Sequence, residues 1–146
     1  MAKVDHHLHE IVLSVPAGYQ DASVNVFVAP SRPSRAPEAT FTVAREPRSE
    51  LALEDQAEEV LARALGALDE IAVLARRSRQ VGSLPAYEAR FLAGRGKRAT
   101  YQRIAFVSYY ETLLVLTAAT PRPKRARCDQ LADEWLDTLR FRSRKS

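Results

Sequence analysis

The chain has 146 residues, 46% of them hydrophobic and 27% charged, with three histidines and one cysteine. That length and composition describe one domain (residues 1–146) with a real core and exclude a disordered chain. No apolar run reaches the roughly 20 residues of a membrane span, and one cysteine excludes an internal disulfide. The net charge of +4 is unevenly spread: residues 1–121 are neutral, while residues 122–146 carry eight basic and four acidic side chains. A basic end of this kind suits an anionic partner. With no aromatic beyond Phe141 beside it, however, the tail at 140–146 lacks a stacking platform for nucleic acid. It reads as a solvated terminus.

Residues 1–10 lack the uninterrupted apolar stretch of a signal peptide, so a cytoplasmic location is expected. His6, His7 and His9 lie beside Asp5 and Glu10. Imidazole is the commonest metal ligand, but an N-terminal strand supplies no firmly placed third ligand and no Cys pair joins it. No metal and no cofactor is expected. Residues 8–28 then read as a strand, a polar turn and a second strand. Ile11, Val12, Leu13 and Val15 build the first strand and Pro16 stops it. Ala17 to Asp21 supply turn chemistry. In the second strand Val24, Val26 and Val28 point one way, and Ser23, Asn25 and Phe27 the other.

Three prolines at 30, 33 and 37 make the next segment a loop. Residues 39–45 alternate as a third strand. Ser49 is the expected N-cap of a helix over about 50–68, with acids Glu50, Glu54 and Asp55 at its positive end. Its apolar stripe is Leu53, Ala57, Val60, Leu61, Ala64 and Leu68. Residues 71–75 suit either a helix end or a strand, and we take the strand. Residues 81–86 form a turn, 86–92 a strand, and 94–97 a glycine-containing hairpin connection. Two long strands follow at 100–109 and 112–119, rich in aromatic and β-branched residues. A helix over 125–139 buries Cys128, Ala132, Trp135, Leu136 and Leu139, with Asp129, Asp133 and Asp137 on another face. The order βββ-α-ββββ-α predicts an α+β fold, an antiparallel sheet of six to seven strands flanked by two helices.

Catalytic signals are weak. Gly94 and Gly96 lack the strand-to-helix setting of a phosphate loop. Cys128 has no identifiable base. Glu58 with Glu59, and Asp133 with Glu134, read as solvated helix acids. The expectation is a protein that is not an enzyme.

The succession Val15-Pro-Ala-Gly-Tyr-Gln-Asp-Ala-Ser-Val-Asn-Val26 resembles the opening of the DcrB-like family, which includes the Eag chaperones of bacterial type VI secretion effectors. Phe41-Thr-Val-Ala-Arg45 with Pro47, Gly82-Ser-Leu-Pro-Ala86, Tyr101-Gln-Arg103 and Leu114-Val-Leu-Thr-Ala118 match in the same order, so the resemblance spans about Ile11 to Phe141. It implies a PsbP-like α+β fold, a homodimer and a cytoplasmic adaptor. Such an adaptor shields the hydrophobic N-terminal helices of an Rhs- or PAAR-type effector until they are loaded onto the spike, with no nucleic acid and no stable membrane insertion. By the same resemblance, Val24 and Val26 are groove residues and Gln102 is the amide that hydrogen-bonds the client.

Around these residues the expected client-binding groove comprises Val24, Val26, Val28, Val60, Leu68, Thr100, Gln102 and Ile104, with Phe106 on the same strand face. The chain departs from the family at Val60, which stands where a typical member has a first-helix glutamine. The alternative is a non-catalytic PsbP-like module for a folded or envelope partner.

Overall fold

In the computed structural model of this chain, residues 3–8, 11–19, 22–29, 38–68 and 70–142 are described. The elements in order are β1 (Lys3–Leu8), β2 (Ile11–Pro16), β3 (Asn25–Val28), β4 (Thr40–Pro47), α1 (Leu53–Gly66), β5 (Ile71–Val81), β6 (Leu84–Ala93), β7 (Thr100–Tyr109), β8 (Thr112–Pro121) and α2 (Arg125–Thr138). Six strands form an antiparallel sheet in the order β3-β4-β8-β7-β6-β5, and β1 pairs with β2 in a separate two-stranded sheet. The α+β architecture expected from the sequence is the one observed.

The two strands expected within residues 8–28 do not pair with each other. β2 pairs back onto β1, from Lys3↔Pro16 to Leu8↔Ile11, and β3 pairs forward onto β4, from Asn25↔Val43 to Val28↔Thr40. Alternation marks a strand but says nothing about its partner. Val24, expected in line with Val26 and Val28, lies just before β3 rather than within it.

Helices cover opposite faces of the main sheet. α1 packs Ala57, Val60 and Leu61 onto Ala89, Phe91, Ala93, Ile104, Phe106 and Leu113. α2 packs Cys128, Ala132 and Leu136 onto Phe41, Ala86, Tyr101, Ala105, Val107, Leu116 and Ala118. β7 therefore has both faces buried along its middle, Arg103 to Val107. That is why its pattern is a continuous apolar run rather than a clean alternation.

The ambiguous residues 71–75 open an eleven-residue strand, β5. A register shift between Val73 and Ala75 lets Ile71 and Val73 join the α1-side core. Beyond the shift, Val81 joins the α2-side core. An extra residue in one strand changes which side chains face which way.

The start of α1 also differs from expectation. The helix begins at Leu53 after Ala52, with no side-chain cap. Ser49 caps nothing in the helix; its hydroxyl accepts from the Leu51 amide at 3.2 Å. Gln56 does the anchoring instead. Its Nε2 donates to the Pro47 carbonyl at 2.9 Å, and its Oε1 accepts from the Ser49 amide at 3.1 Å and from Arg48.

The C-terminal residues are docked as far as 142. Tyr109 donates its hydroxyl hydrogen to the Arg142 carbonyl at 2.6 Å, and Phe141 stacks on Tyr109 with centroids 5.9 Å apart. Only residues 143–146 of the expected free tail lie outside the described residues.

Candidate functional site

The candidate site is the part of the α1-side sheet face that α1 leaves open. Direct cross-strand partners share a face, so the register maps it. One row runs Val28, Thr40, Ala119, Gln102, Phe91; the next runs Val26, Thr42, Thr117, Ile104, Ala89. α1 closes over the β6 and β7 end of both rows. Thr40, Thr42, Thr117, Ala119 and Gln102 are half-buried, and Val26 and Val28 are exposed. The result is a floor of hydroxyls, methyls and one amide, bounded on one side by a helix and on the other by the edge strand β3.

The expected groove residues fall into three sets. Val26, Val28, Thr100 and Gln102 come together on the open floor. Val24 is exposed beside the edge strand, and Leu68 is 39% exposed just past the end of α1. Val60 and Ile104 are not available to a guest: they are 8% and 5% exposed and lie in the core between α1 and the sheet. Phe106 is fully buried there as well. The reason is steric: α1 lies over that end of the face, and a shared strand face does not mean shared exposure.

Gln102 has a defined position on the floor. Its Nε2 donates to Thr100 Oγ1 at 3.2 Å. Its Oε1 takes no hydrogen bond from the described residues, so it keeps its acceptor capacity. α1 carries one glutamine, Gln56, one turn before Val60. That residue is 5% exposed and occupied with the backbone at 47–49.

The edge strand is unusual. Val26, Phe27 and Val28 are all more than half exposed, on both faces of β3. Soluble proteins blunt such edges with charge or proline, and this four-residue strand has neither. On the α2 side, Phe27 lines a groove with Val28, Leu131 and Trp135.

The sequence reading missed a buried ionic network beneath α2. Glu88 and Arg103 have side chains 1% and 2% exposed and meet at 2.6 Å. Arg79 adds a 2.7 Å contact to the other Glu88 oxygen. Arg103 Nη1 reaches Asp133 at 2.9 Å and the Asp129 carbonyl at 3.1 Å, while Tyr101 donates to Asp129 at 2.7 Å. Asp133, expected to be solvated, is thus part of the clamp between α2 and β7. Burial alone would raise the Glu88 carboxyl, but the Arg79 hydrogen bond and the Arg103 charge outweigh it and hold it below its usual value. Burial and the Asp129 contact push Tyr101 up to about 12. The void beside this network is about 10 Å³, at the limit of what one water needs. It has no room for a substrate, and the network's work is to fasten α2.

Cys128 is fully buried, and burial pushes its thiol up to about 11. A protonated thiol is a poor nucleophile. Among the described residues no group of His, Cys, Asp and Glu is arranged to hold a metal. His9 lies outside the described residues, as do the side chains of His6 and His7. No described helix is long and apolar enough to cross a membrane.

Comparisons with known proteins bear on this geometry. The sequence model of the DcrB family matches residues 10–138. No curated protein matches the chain. Among solved structures, the protein of unknown function PA94 from Pseudomonas aeruginosa is similar with a TM-score of 0.78 at 21% identity, over 97% of this chain and 99% of that one. LpqN of Mycobacterium tuberculosis, involved in cell envelope biogenesis, is similar with a TM-score of 0.56 at 10% identity, over 90% and 86%. The PsbP protein CyanoP of Synechocystis sp. PCC 6803 is similar with a TM-score of 0.51 at 9% identity, over 83% and 94%. At these identities the likeness is one of fold.

Proposed function

The chain belongs to the DcrB family, and on that footing we propose that it is a cytoplasmic adaptor chaperone for a type VI secretion effector. It holds the hydrophobic N-terminal helices of an Rhs- or PAAR-type effector until the effector is loaded onto the spike. The observation that carries this reading is the open half-face: a floor of Thr40, Thr42, Thr117 and Ala119 beside the exposed Val26 and Val28. A helix destined for a membrane exposes apolar surface in water, and covering it is worth about 25 cal/mol per Å². Small and β-branched side chains let such a helix lie close to the strands. The threonine hydroxyls and the Gln102 oxygen meet the few polar groups the helix carries.

The adaptor performs no chemistry on its guest and works as a homodimer, so that two half-faces enclose what one leaves wet. The exposed edge strand β3, with Val26, Phe27 and Val28 all more than half exposed, gains from such cover.

Co-expression tests the proposal. The apolar N-terminal segment of an Rhs or PAAR effector from the same genome, tagged and produced with this protein, is expected to be soluble and to co-purify. Val26→Asp is expected to abolish recovery while leaving thermal unfolding unchanged. Equal recovery with the Val26→Asp protein, or insolubility of the segment in the presence of the wild type, contradicts the reading.

A further inference from the structure

Two basic segments meet at one end of the sheet. The turn between β6 and β7 carries Arg95, Lys97 and Arg98, and β8 runs directly into Arg122, Lys124 and Arg125. The Arg122 amide donates to the Ala99 carbonyl at 2.9 Å and closes the two segments on each other. All six side chains are exposed. Glu70 pairs with Arg95, and Arg125 lies 5.1 Å over the Tyr101 ring. Lys97, Arg98, Arg122, Lys124 and Arg125 make no ion pair with any described residue. By contrast Arg63, Arg76, Arg77, Arg79, Arg90 and Arg103 all do.

Local stability does not account for this placement. The first turn of α2 contains no acid, so cations stand at the positive end of a helix, where they are disfavoured. The Tyr101 ring offsets this for Arg125, but Arg122 and Lys124 have no such contact among the described residues, and a local rule broken in this way marks a site whose partner comes from outside.

The position of the cluster says what that partner is attached to. Arg98 precedes Thr100 by two residues, and Arg122 follows Pro121, the cross-strand partner of Thr100. Arg98 and Arg122 therefore flank the end of β7 at which the open floor begins with Thr100, while Arg125 lies over Tyr101 on the α2 side. We propose that the cluster reads an acidic flank on the guest. The occupant is an apolar segment with Asp or Glu residues just beyond one end, seated so that this end meets Lys97, Arg98 and Arg122 and sets the direction in which the segment lies. This rests on the guest-binding reading above and adds polarity to it. Nucleic acid is the poorer candidate, because the aromatic ring beside the cations, Tyr101, is fully buried and offers no base a stacking surface.

The test uses the full chain and two fusions of maltose-binding protein to an apolar Leu/Ala/Gly segment of about 20 residues. The fusions differ only in carrying three Asp or three Lys residues as flanks. The wild type is expected to bind the Asp-flanked fusion about tenfold more tightly, the combined effect of a few exposed ion pairs. That preference should shrink as salt rises from about 50 mM to about 500 mM, where screening shortens the reach of exposed charge. The triple variant K97E/R98E/R122E is expected to prefer the Lys-flanked fusion, and the salt titration of the wild type stands even if that variant folds poorly. Equal, salt-independent binding of both fusions overturns the inference while leaving the guest reading intact. Failure of a folded wild type to bind either fusion overturns both. Tighter binding of single-stranded DNA or anionic phospholipid vesicles than of the Asp-flanked fusion also overturns the inference.

Discussion

Gln102 stands directly across from Ala119 on neighbouring strands, so the amide on the open floor faces a methyl group. With its nitrogen committed to Thr100, the oxygen of Gln102 is held ready as an acceptor beside the smallest of the apolar neighbours. Gln102→Ala removes one hydrogen bond to the guest, worth about 1 kcal/mol. It is expected to weaken capture of an effector segment about fivefold without lowering the melting temperature. Ala119→Phe fills the floor and is expected to weaken capture far more. Affinity measured by fluorescence anisotropy with a labelled, solubility-tagged segment checks both.

The clamp under α2 gives the largest expected loss of stability. Glu88→Ala leaves the buried Arg103 without its closest counter-charge, and breaking a buried pair from one side costs about 3–5 kcal/mol. Asp133→Ala removes a partner whose side chain is 56% exposed and is expected to cost no more than about 1 kcal/mol. Urea unfolding curves distinguish the two.

The pH dependence has two limbs. The Glu88 carboxyl is held below its usual value in the fold. Its contribution is therefore present above the unfolded value, and it is lost as pH falls through the folded one. Stability should drop on acidification, with a weaker drop in Glu88→Gln. On the alkaline side burial raises Cys128 to about 11, and burial helped by Glu58 raises Tyr87 to about 12. Groups raised in the fold contribute fully below their unfolded values, and that stability is lost as pH climbs through the folded ones. Stability is expected to decline from about pH 9 upward. Melting temperatures across the range check both limbs.

The β5–β6 turn gives a further test. Gly82 has φ of +57°, and a Cβ there would lie 3.2 Å from the Phe141 ring. Gly82→Ala combines a strained backbone with a push on the docked C-terminal residues, and is expected to cost about 1 kcal/mol or more. Thermal unfolding measures the loss.

Elements whose local chemistry is self-sufficient were legible in the sequence. β7 and β8 follow from their aromatic and β-branched content and α1 and α2 from their stripes, whereas the turn expected over 81–86 shrinks to Gly82 and Ser83 because β5 and β6 pair through Val81↔Leu84. Partnership was not legible: nothing local in Ile11–Pro16 says that it pairs back to Lys3–Leu8 rather than forward to Asn25–Val28. Burial of the site was half legible. Alternation put Gln102 and Ile104 on one face, but only the seat of α1 decides that Ile104 is core while Gln102 is open. Glu88 and Arg103 escaped notice because they lie fifteen residues apart and meet only once β6 pairs with β7. In sequence the basic residues at 122–125 belong with the C-terminal excess of charge, whereas the fold sets them against the β6–β7 turn.

A probe on the floor tests the central claim most directly. The native Cys128 is fully buried with a raised thiol, so an introduced cysteine labels selectively. Thr117→Cys carrying an environment-sensitive fluorophore is expected to shift to the blue, and to become protected from a soluble quencher, when a tagged apolar effector segment is added. The same label at Thr138, exposed on the α2 side, should not respond. A silent Thr117 label in a protein that has bound the segment, with a response at Thr138 instead, would place the guest on the other face and contradict the account.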